Sequence, residues 1–433
     1  MSPARRPDRE FLEAVFRSAL RAVDPERLVR RALAGRDALP GEGPVFLAGA
    51  GKAGRAMGEA ALRILGGRLV EGIVAVPRGQ GGRSGTVRFL EAGHPLPDGG
   101  SRRAAAQILG LLERAGAGSQ VLAVLSGGGS SLLSEPAVGV SAPEKASTVR
   151  LLLSAGASIE EINTVRRHLS AVKGGRLALA AFPAATTVLL LSDVPGDDPS
   201  VVASGPFAPD PTSRADAVRI LARRGLLGRV PPRIRDRLEG RAGDPSGEPP
   251  GPGHEAFARV RTLLAGSNRT ALAGARREVR RSGARAVVLP GFLRGEAREC
   301  ALRFVEAMRG AGRSLPAGGA VVLLAGGETA VTVRGSGRGG RAQEFALAAA
   351  LAMEGERRMA LLSAGTDGVD GPTGAAGAFA DGTTCALARG AGIVPERFLE
   401  ENDSHSFFRA VGGLLVPGPT GTNVADLAIG VVY

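Results

Sequence analysis

"PVFLAGAGKAGRAM", residues 44–57, decides the fold. A short apolar run, Val45 to Ala48, turns through Gly49-Ala50-Gly51-Lys52-Ala53-Gly54 into a helical pattern. Strand, glycine turn and helix in that order open an α/β unit in which backbone can approach an anion at a helix N-terminus. The spacing is G-x-G-x-x-G, with one addition: Lys52 stands inside the loop. A P-loop is excluded, because Ala53 follows the lysine where Ser or Thr is required.

Outward from this stretch the alternation repeats. Strand-like runs lie at 45–48, 72–77, 121–125, 186–191, 262–266, 286–290, 320–326 and 360–365, with helical patterns between them. Most are unbroken β-branched or leucine runs, which suits strands buried on both faces. The expected fold is α/β: two domains, each a mainly parallel sheet flanked by helices, with a cleft between them. The stretch 241–254, RAGDPSGEPPGPGH, is too rich in Gly and Pro for a regular element. It sets the expected boundary between a Rossmann-like domain at 1–240 and a second α/β domain at 255–433.

In open α/β sheets ligands bind beyond the carboxyl ends of strands, so the residues after each run carry the information. They are GAGKAG, then Ser126-Gly127-Gly128-Gly129-Ser130-Ser131, then Ser192-Asp193-Val-Pro-Gly-Asp197-Asp198. Further on come Gly266-Ser267-Asn268-Arg269-Thr270, Gly326-Gly327-Glu328-Thr329 and Gly365-Thr366-Asp367-Gly-Val-Asp370. Glycines admit backbone amides to a ligand, hydroxyls add donors, and Asp adds oxygen ligands for a hard cation. SGGGSS reads either as a flexible turn or as an anion cradle; three successive glycines favour the cradle.

The chain has 433 residues and a formal net charge of +13. Nucleic acid is not the expected partner: arginines are scattered, and aromatic residues make up 3% of the chain, leaving little to stack on bases. No uninterrupted apolar run is long enough to span a membrane, and two cysteines, Cys300 and Cys385, cannot build a disulfide framework. A cytoplasmic protein, monomeric or homodimeric, is expected. Only three of the 55 basic residues are lysines: Lys52, Lys145 and Lys173. In a chain that otherwise uses Arg, a Lys in a glycine loop indicates a need for a compact ammonium.

A dinucleotide oxidoreductase wants an acid about 20 residues beyond the glycines, at the end of the second strand. Val76-Pro77-Arg78 stands there, and Glu71 lies at the wrong end. Arg78 would suit a 2′-phosphate, which keeps an NADP-dependent oxidoreductase as the alternative. A non-catalytic sugar-acid or nucleotide sensor is the other. His94 and His168 have no metal-ligand spacing.

GAGKA, GHPLPD, SGGGSSL, INTVRRHLSAVKGGRLA, LLLSDVPGDDPSVVASGP, AGGETAVTVRG, GGRAQEFAL, SAGTDGVDGPTGAAGA and GTNVADL together resemble the class II glycerate kinases, glycerate 2-kinases with a C-terminal MOFRL domain. The resemblance runs from about Phe11 to the C-terminus. It implies ATP- and Mg²⁺-dependent phosphorylation of D-glycerate to 2-phosphoglycerate. For the NADP-dependent alternative it would make hydroxypyruvate the substrate, as in a hydroxypyruvate reductase. It carries the family's loop lysine onto Lys52, its phosphate loop onto Ser126 to Ser131, its strand-end acid onto Asp193, and its GGR-x-QE stretch onto Gly339, Gly340, Arg341, Gln343 and Glu344. The expected catalytic residues are Lys52 and Asp193. Substrate is expected on Lys52, Ser126, Arg166, Lys173 and Arg341. ATP phosphates are expected on Gly51, Gly127, Gly128, Gly129, Ser130, Ser131, Gly327, Glu328 and Thr366. Mg²⁺ is expected on Asp193, Asp197 and Asp367.

Overall fold

The structure is a computed structural model that describes residues 7–35, 38–241, 247–313, 315–316 and 318–433. Its chain divides into two compact units, one of Pro25–Ala265 and one of Met1–Asp24 with Gly266–Tyr433.

The Pro25–Ala265 unit carries a seven-stranded sheet. Its strands are β1 (Val45–Ala50), β2 (Leu69–Pro77), β3 (Gly82–Ser84), β4 (Val87–Ala92), β5 (Gln120–Ser126), β6 (Ala185–Ser192) and β7 (Val260–Ser267). They lie in the order β3-β4-β2-β1-β5-β6-β7. β4, β2, β1, β5 and β6 run parallel, and β3 returns antiparallel on β4. The pleat sends alternate side chains to opposite faces. Helix Gly54–Leu65 packs on the face of Val74 and Val76 through its glycines, Gly54 and Gly58. Helix Gly99–Leu112 buries Ala104, Ala105 and Ile108 on the other face, against Ala48, Ile73 and Ala123.

Between β5 and β6 the chain inserts helices Ala142–Ser154 and Ile159–His168. With Arg214–Arg223 and Pro232–Leu238 they bury a separate core of Leu152, Ile162, Val165, Ile220, Leu221 and Ile234. Each of the first three helices starts in a capping box, for example Ser158 with Glu161, which fixes its first turn.

The second unit holds β8 (Arg285–Val288), β9 (Val321–Gly327), β10 (Met359–Gly365), β11 (Gly377–Asp381), β12 (Leu414–Leu415) and β13 (Asp426–Val432), in the order β12-β11-β10-β13-β9-β8. The two helix-flanked sheets fit the expected α/β class, but the direction of the second is a correction. Only β8 and β9 pair in parallel; β9, β13, β10, β11 and β12 pair antiparallel. The C-terminal strand β13 inserts between β9 and β10, and a glycine-rich connection folds β11 back on β10 with no helix between those two.

The boundary also differs from the expected one. It falls at Ala265 and Gly266 rather than within 241–254, of which 242–246 lie outside the described residues. Helix Pro7–Ala22 joins the second unit because it lies along helix Asn268–Arg281, where Ser18 Oγ donates to the Gly274 carbonyl at 3.2 Å. Gly274 permits this contact: a Cβ there would strike Ala22 and the Ser18 carbonyl.

Candidate active site

Strand order marks a candidate site in the first unit. The chain runs from β1 outward to β2 and β4, then returns to the other side of β1 as β5. The connections after β1 and β5 therefore part in opposite directions, which opens the crevice where such sheets bind ligands. Ala50 pairs with Leu125, and Ser126 pairs with Leu191. So the loops that begin at Gly51, Gly127 and Asp193 leave three neighbouring strands at one edge.

Two of these loops are bonded together. The Lys52 N–H donates to the Gly127 carbonyl at 2.8 Å, and the Ala53 N–H donates to Ser126 Oγ at 3.1 Å. Gly51 has a φ of 143°, and a Cβ there would run into Ser126, so glycine lets the loops close up. Ser126 is fully buried, so its hydroxyl braces the loop. A Cβ on Gly128 would stand 3.3 Å from Lys52 Cγ and 3.0 Å from the His94 ring. The half-buried Lys52 stem and the exposed His94 thus flank Gly128. Gly128, left-handed at φ 81°, caps a single helical turn, Gly129–Leu132, and Ser131 Oγ closes on the Gly128 carbonyl at 3.1 Å.

Ser130 is the hub. Its hydroxyl accepts from Arg166 at 2.7 Å and from Lys173 Nζ at 3.1 Å, and it lies 2.8 Å from Ser204 Oγ. Ser204 in turn donates to Asn163 Oδ1 at 3.1 Å. Lys173 is fully buried, and its Nζ also meets the carbonyls of Ser130 (2.7 Å), Leu133 (3.2 Å) and Ala203 (3.3 Å). An ammonium has three N–H donors and finds three carbonyls, so Lys173 braces the loop from behind. Lys145 is the third lysine, 6% exposed, with one long bond of 3.5 Å to the Glu135 carbonyl. Lys52 and Lys173 therefore contact the SGGGSS loop, and Lys145 lies on the Glu135 carbonyl just beyond it.

Among the described residues no carboxylate forms an ion pair with Arg166, Lys145 or Lys173. Burial, then the neighbouring Arg166, pushes the Lys145 amine down to about 7, with Glu135 pulling the other way. Burial, Arg166 and Lys145 press Lys173 well below the usual lysine range, against the hold of its carbonyls. Burial lowers Arg166 as well. Cations brought together without acids make a site that gains from an anion. Asp193 lies half-buried just beyond β6, and Asp197 follows in a left-handed turn at φ 57°.

In the second unit the expected residues form a different group. Arg341 Nε donates to Asp426 Oδ2 at 2.6 Å, and its NH1 donates to Glu328 Oε1 at 2.6 Å. Asp370 accepts from the Ala342 and Gln343 N–H groups at 3.0 and 2.8 Å, capping helix Arg341–Ala352. Burial and then the nearby Asp426 push the Asp370 carboxyl up to about 6. Gln343 adds a 2.9 Å bond to Asp370, while Glu344 receives Arg298 and Asn402, so GGR-x-QE is anchored within this unit. Thr366 is fully buried; its hydroxyl donates to the Ala425 carbonyl and accepts from the Val424 N–H. Gly327 is a packing glycine, since a Cβ would strike Leu293. Asp367 is half-buried, and its Oδ1 accepts from the Val369 N–H.

Among the described residues no three His, Cys, Asp or Glu side chains gather as a metal cage. Asp193 and Asp197 belong to the first unit and Asp367 to the second. No helix among the described residues is long and apolar enough to cross a membrane. Arg78, the expected seat for a 2′-phosphate, pairs with Asp98 at 2.8 Å. Sequence reasoning passed over Lys145, Asn163 and Ser204; only Lys145 carried a signal, as one of three lysines.

Residues 11–239 match a family described as a domain of unknown function (DUF4147), and residues 321–426 match the MOFRL family. The chain is 38% identical to D-glycerate 2-kinase of Thermotoga maritima, over 96% of this chain and 97% of that protein. A crystal structure of glycerate kinase from the same organism superposes with a TM-score of 0.86 at 37% identity, covering 98% of this chain and 99% of that one. A relative from Agrobacterium vitis, named provisionally as a hydroxypyruvate reductase, is 40% identical over 89% of this chain and 98% of its own length.

Proposed function

The chain belongs to the class II glycerate kinase family, and from that premise we propose that it transfers the γ-phosphoryl group of ATP to the 2-hydroxyl of D-glycerate. The observation that carries this reading is the bonded pair of glycine loops at the switch point, which includes Lys52, with Arg166 and Lys173 bonded to Ser130. Phosphoryl transfer needs positioning and charge neutralisation more than covalent chemistry. Lys52 neutralises charge on the glycerate carboxylate or the transferring phosphoryl group. Backbone of Gly127 to Ser131 cradles phosphate oxygens, and Arg166 offers its guanidinium beside Ser130. Asp193 accepts the proton of the 2-hydroxyl; that oxygen bonds to the γ-phosphorus as the bond to ADP breaks, giving 2-phosphoglycerate and ADP.

In phosphoryl-transfer sites Mg²⁺ is bound through one or two carboxylates together with substrate phosphates. Asp193 or Asp197 would hold it, and it would supply further charge neutralisation. The reductase alternative loses support because Arg78 is already paired with Asp98 and no ribose acid follows β2.

Incubation with D-glycerate, ATP and Mg²⁺, followed by proton-coupled phosphorus NMR, tests the reading. A phosphate on C2 has one proton on its carbon and gives a doublet; a phosphate on C3 gives a triplet. NADPH oxidation with hydroxypyruvate, without any phosphoester, would replace the kinase by the reductase.

A further inference from the structure

Three cations of the first unit, Arg166, Lys173 and Lys145, lie near one another with no carboxylate ion-paired to any of them among the described residues, and the mechanism uses only one of them directly. Arg166 reaches Ser130 from the last turn of helix Ile159–His168. Lys173 is spent on three carbonyls. Lys145, on helix Ala142–Ser154, is buried with a single 3.5 Å bond to the Glu135 carbonyl. A buried ammonium with two unused donors is costly. The charges facing it are specific. Arg166 and Lys173 repel it, while Glu135 attracts it but also lies 3.5 Å from Arg102. The neighbouring charges are turned elsewhere: Arg167 to Asp210 and Glu144 into the Ser141 cap.

We propose that Lys145 is a proton-linked positioning residue that takes up a proton when an anionic group docks on Arg166 and the Ser130 loop. The inference rests on the kinase reading only for the identity of the docking molecule. The anionic group is a carboxylate or a tetrahedral phosphoryl group; both would offset the Arg166 charge that now opposes the ammonium. An anion held on Arg166 stabilises the charged form of Lys145, and by linkage the charged form tightens the anion. With a free amine near 7, raised on binding, the site binds its anion best below pH 7. It weakens as pH rises through the free value, by about eightfold between pH 6.5 and 8.

Calorimetric titration of the full chain, in buffers of different ionisation enthalpy, counts the protons. D-glycerate and sulfate are the two probes, since neither titrates in this range. At pH 7.5 the wild type should take up about 0.7 proton per anion bound. Lys145→Met, with a melting temperature checked against wild type, should lose that uptake and bind at pH 6.5 no better than wild type does at pH 8. Lys145→Arg, permanently charged, should keep tight binding with no uptake. Uptake with D-glycerate identifies a carboxylate seat; uptake with sulfate alone identifies a phosphoryl seat. Wild-type binding of both probes without proton uptake, or uptake unchanged in Lys145→Met, would overturn the proposal. Uptake without phosphoester formation would leave it standing and remove the kinase reading; turnover without uptake would do the reverse.

Discussion

Replacing Lys52 by alanine separates a ligand-facing charge from a structural one. The bond that joins the two glycine loops uses the Lys52 backbone N–H, at 2.8 Å from the Gly127 carbonyl, and alanine keeps it. The side chain is half-buried beside Gly128, so truncation removes part of an aliphatic stem and a charge from the rim of the loop. Stability should change by less than about 1 kcal/mol, since the burial lost amounts to roughly one methylene. Turnover should change far more. A donor aimed at charge that develops in the transition state is worth about 3–4 kcal/mol, a fall in kcat/KM of about 10²- to 10³-fold. The assay is coupled ADP release against D-glycerate, with a thermal melt on the same preparation. Lys52→Arg should also be impaired, because the guanidinium brings a planar fork on a bulkier head where a point charge is wanted. Wild-type activity in Lys52→Arg would refute the point-charge argument. Unfolding of Lys52→Ala would show that the lysine supports the loop rather than the ligand.

Gly51→Ala should damage both stability and activity. Its Cβ collides with the Ser126 backbone as well as its hydroxyl, at a φ of 143°. Strain of about 2–3 kcal/mol should lower the melting temperature by about 5–10 °C and loosen the Lys52 to Gly127 bond. A melt matching wild type would contradict that geometry. Arg341→Ala removes the partner of Asp426, whose side chain is 14% exposed. A loss of about 1–3 kcal/mol follows, discounted because Arg341 is a third exposed. Adding Asp426→Asn should recover part of it in a denaturant titration, whereas an additive double variant would show that the pair is uncoupled.

The eight apolar runs of the sequence all became strands; for most, such as β1, β5, β6, β9 and β10, burial on both faces writes its character into consecutive residues, while β7 and β8 are more exposed. β4, β11 and β13 left weaker marks. β4 lies beside the short edge strand β3, and its VRFLEA alternates; β11 is GAFAD, whose small residues carry little strand signal. The antiparallel course of the second sheet was illegible for a related reason. Direction is fixed by where β13 inserts, and that insertion is a long-range choice made by packing rather than by any local residue. The joining of helix Pro7–Ala22 to the second unit turns likewise on Gly274, a residue with no mark in sequence to distinguish it from the other glycines of the chain.

The site divides along the same line. Lys52, Ser126 to Ser131 and Asp193 were legible as a candidate site because such sheets bind ligands at strand ends, where glycine and lysine stand out against arginine-rich helices. Lys173 was legible as a lysine beside glycines, but its task was not: it holds three carbonyls behind the loop, which no spacing announces. Thr366 and Gly327 pose the opposite case. They sit in ligand-like sequence, yet one hydroxyl is committed to Ala425 and Val424, and the glycine makes room for Leu293. Strand-end position locates a loop at the edge where ligands bind, but it does not say which way a side chain turns. Only the partners of each polar atom distinguish a residue offered to a ligand from one spent on the fold. By that criterion the first unit offers Arg166, bonded to Ser130 and ion-paired to no carboxylate among the described residues, whereas the second pairs its Arg341 twice within its own unit. The charge available to an anion therefore lies on the SGGGSS loop and its supports.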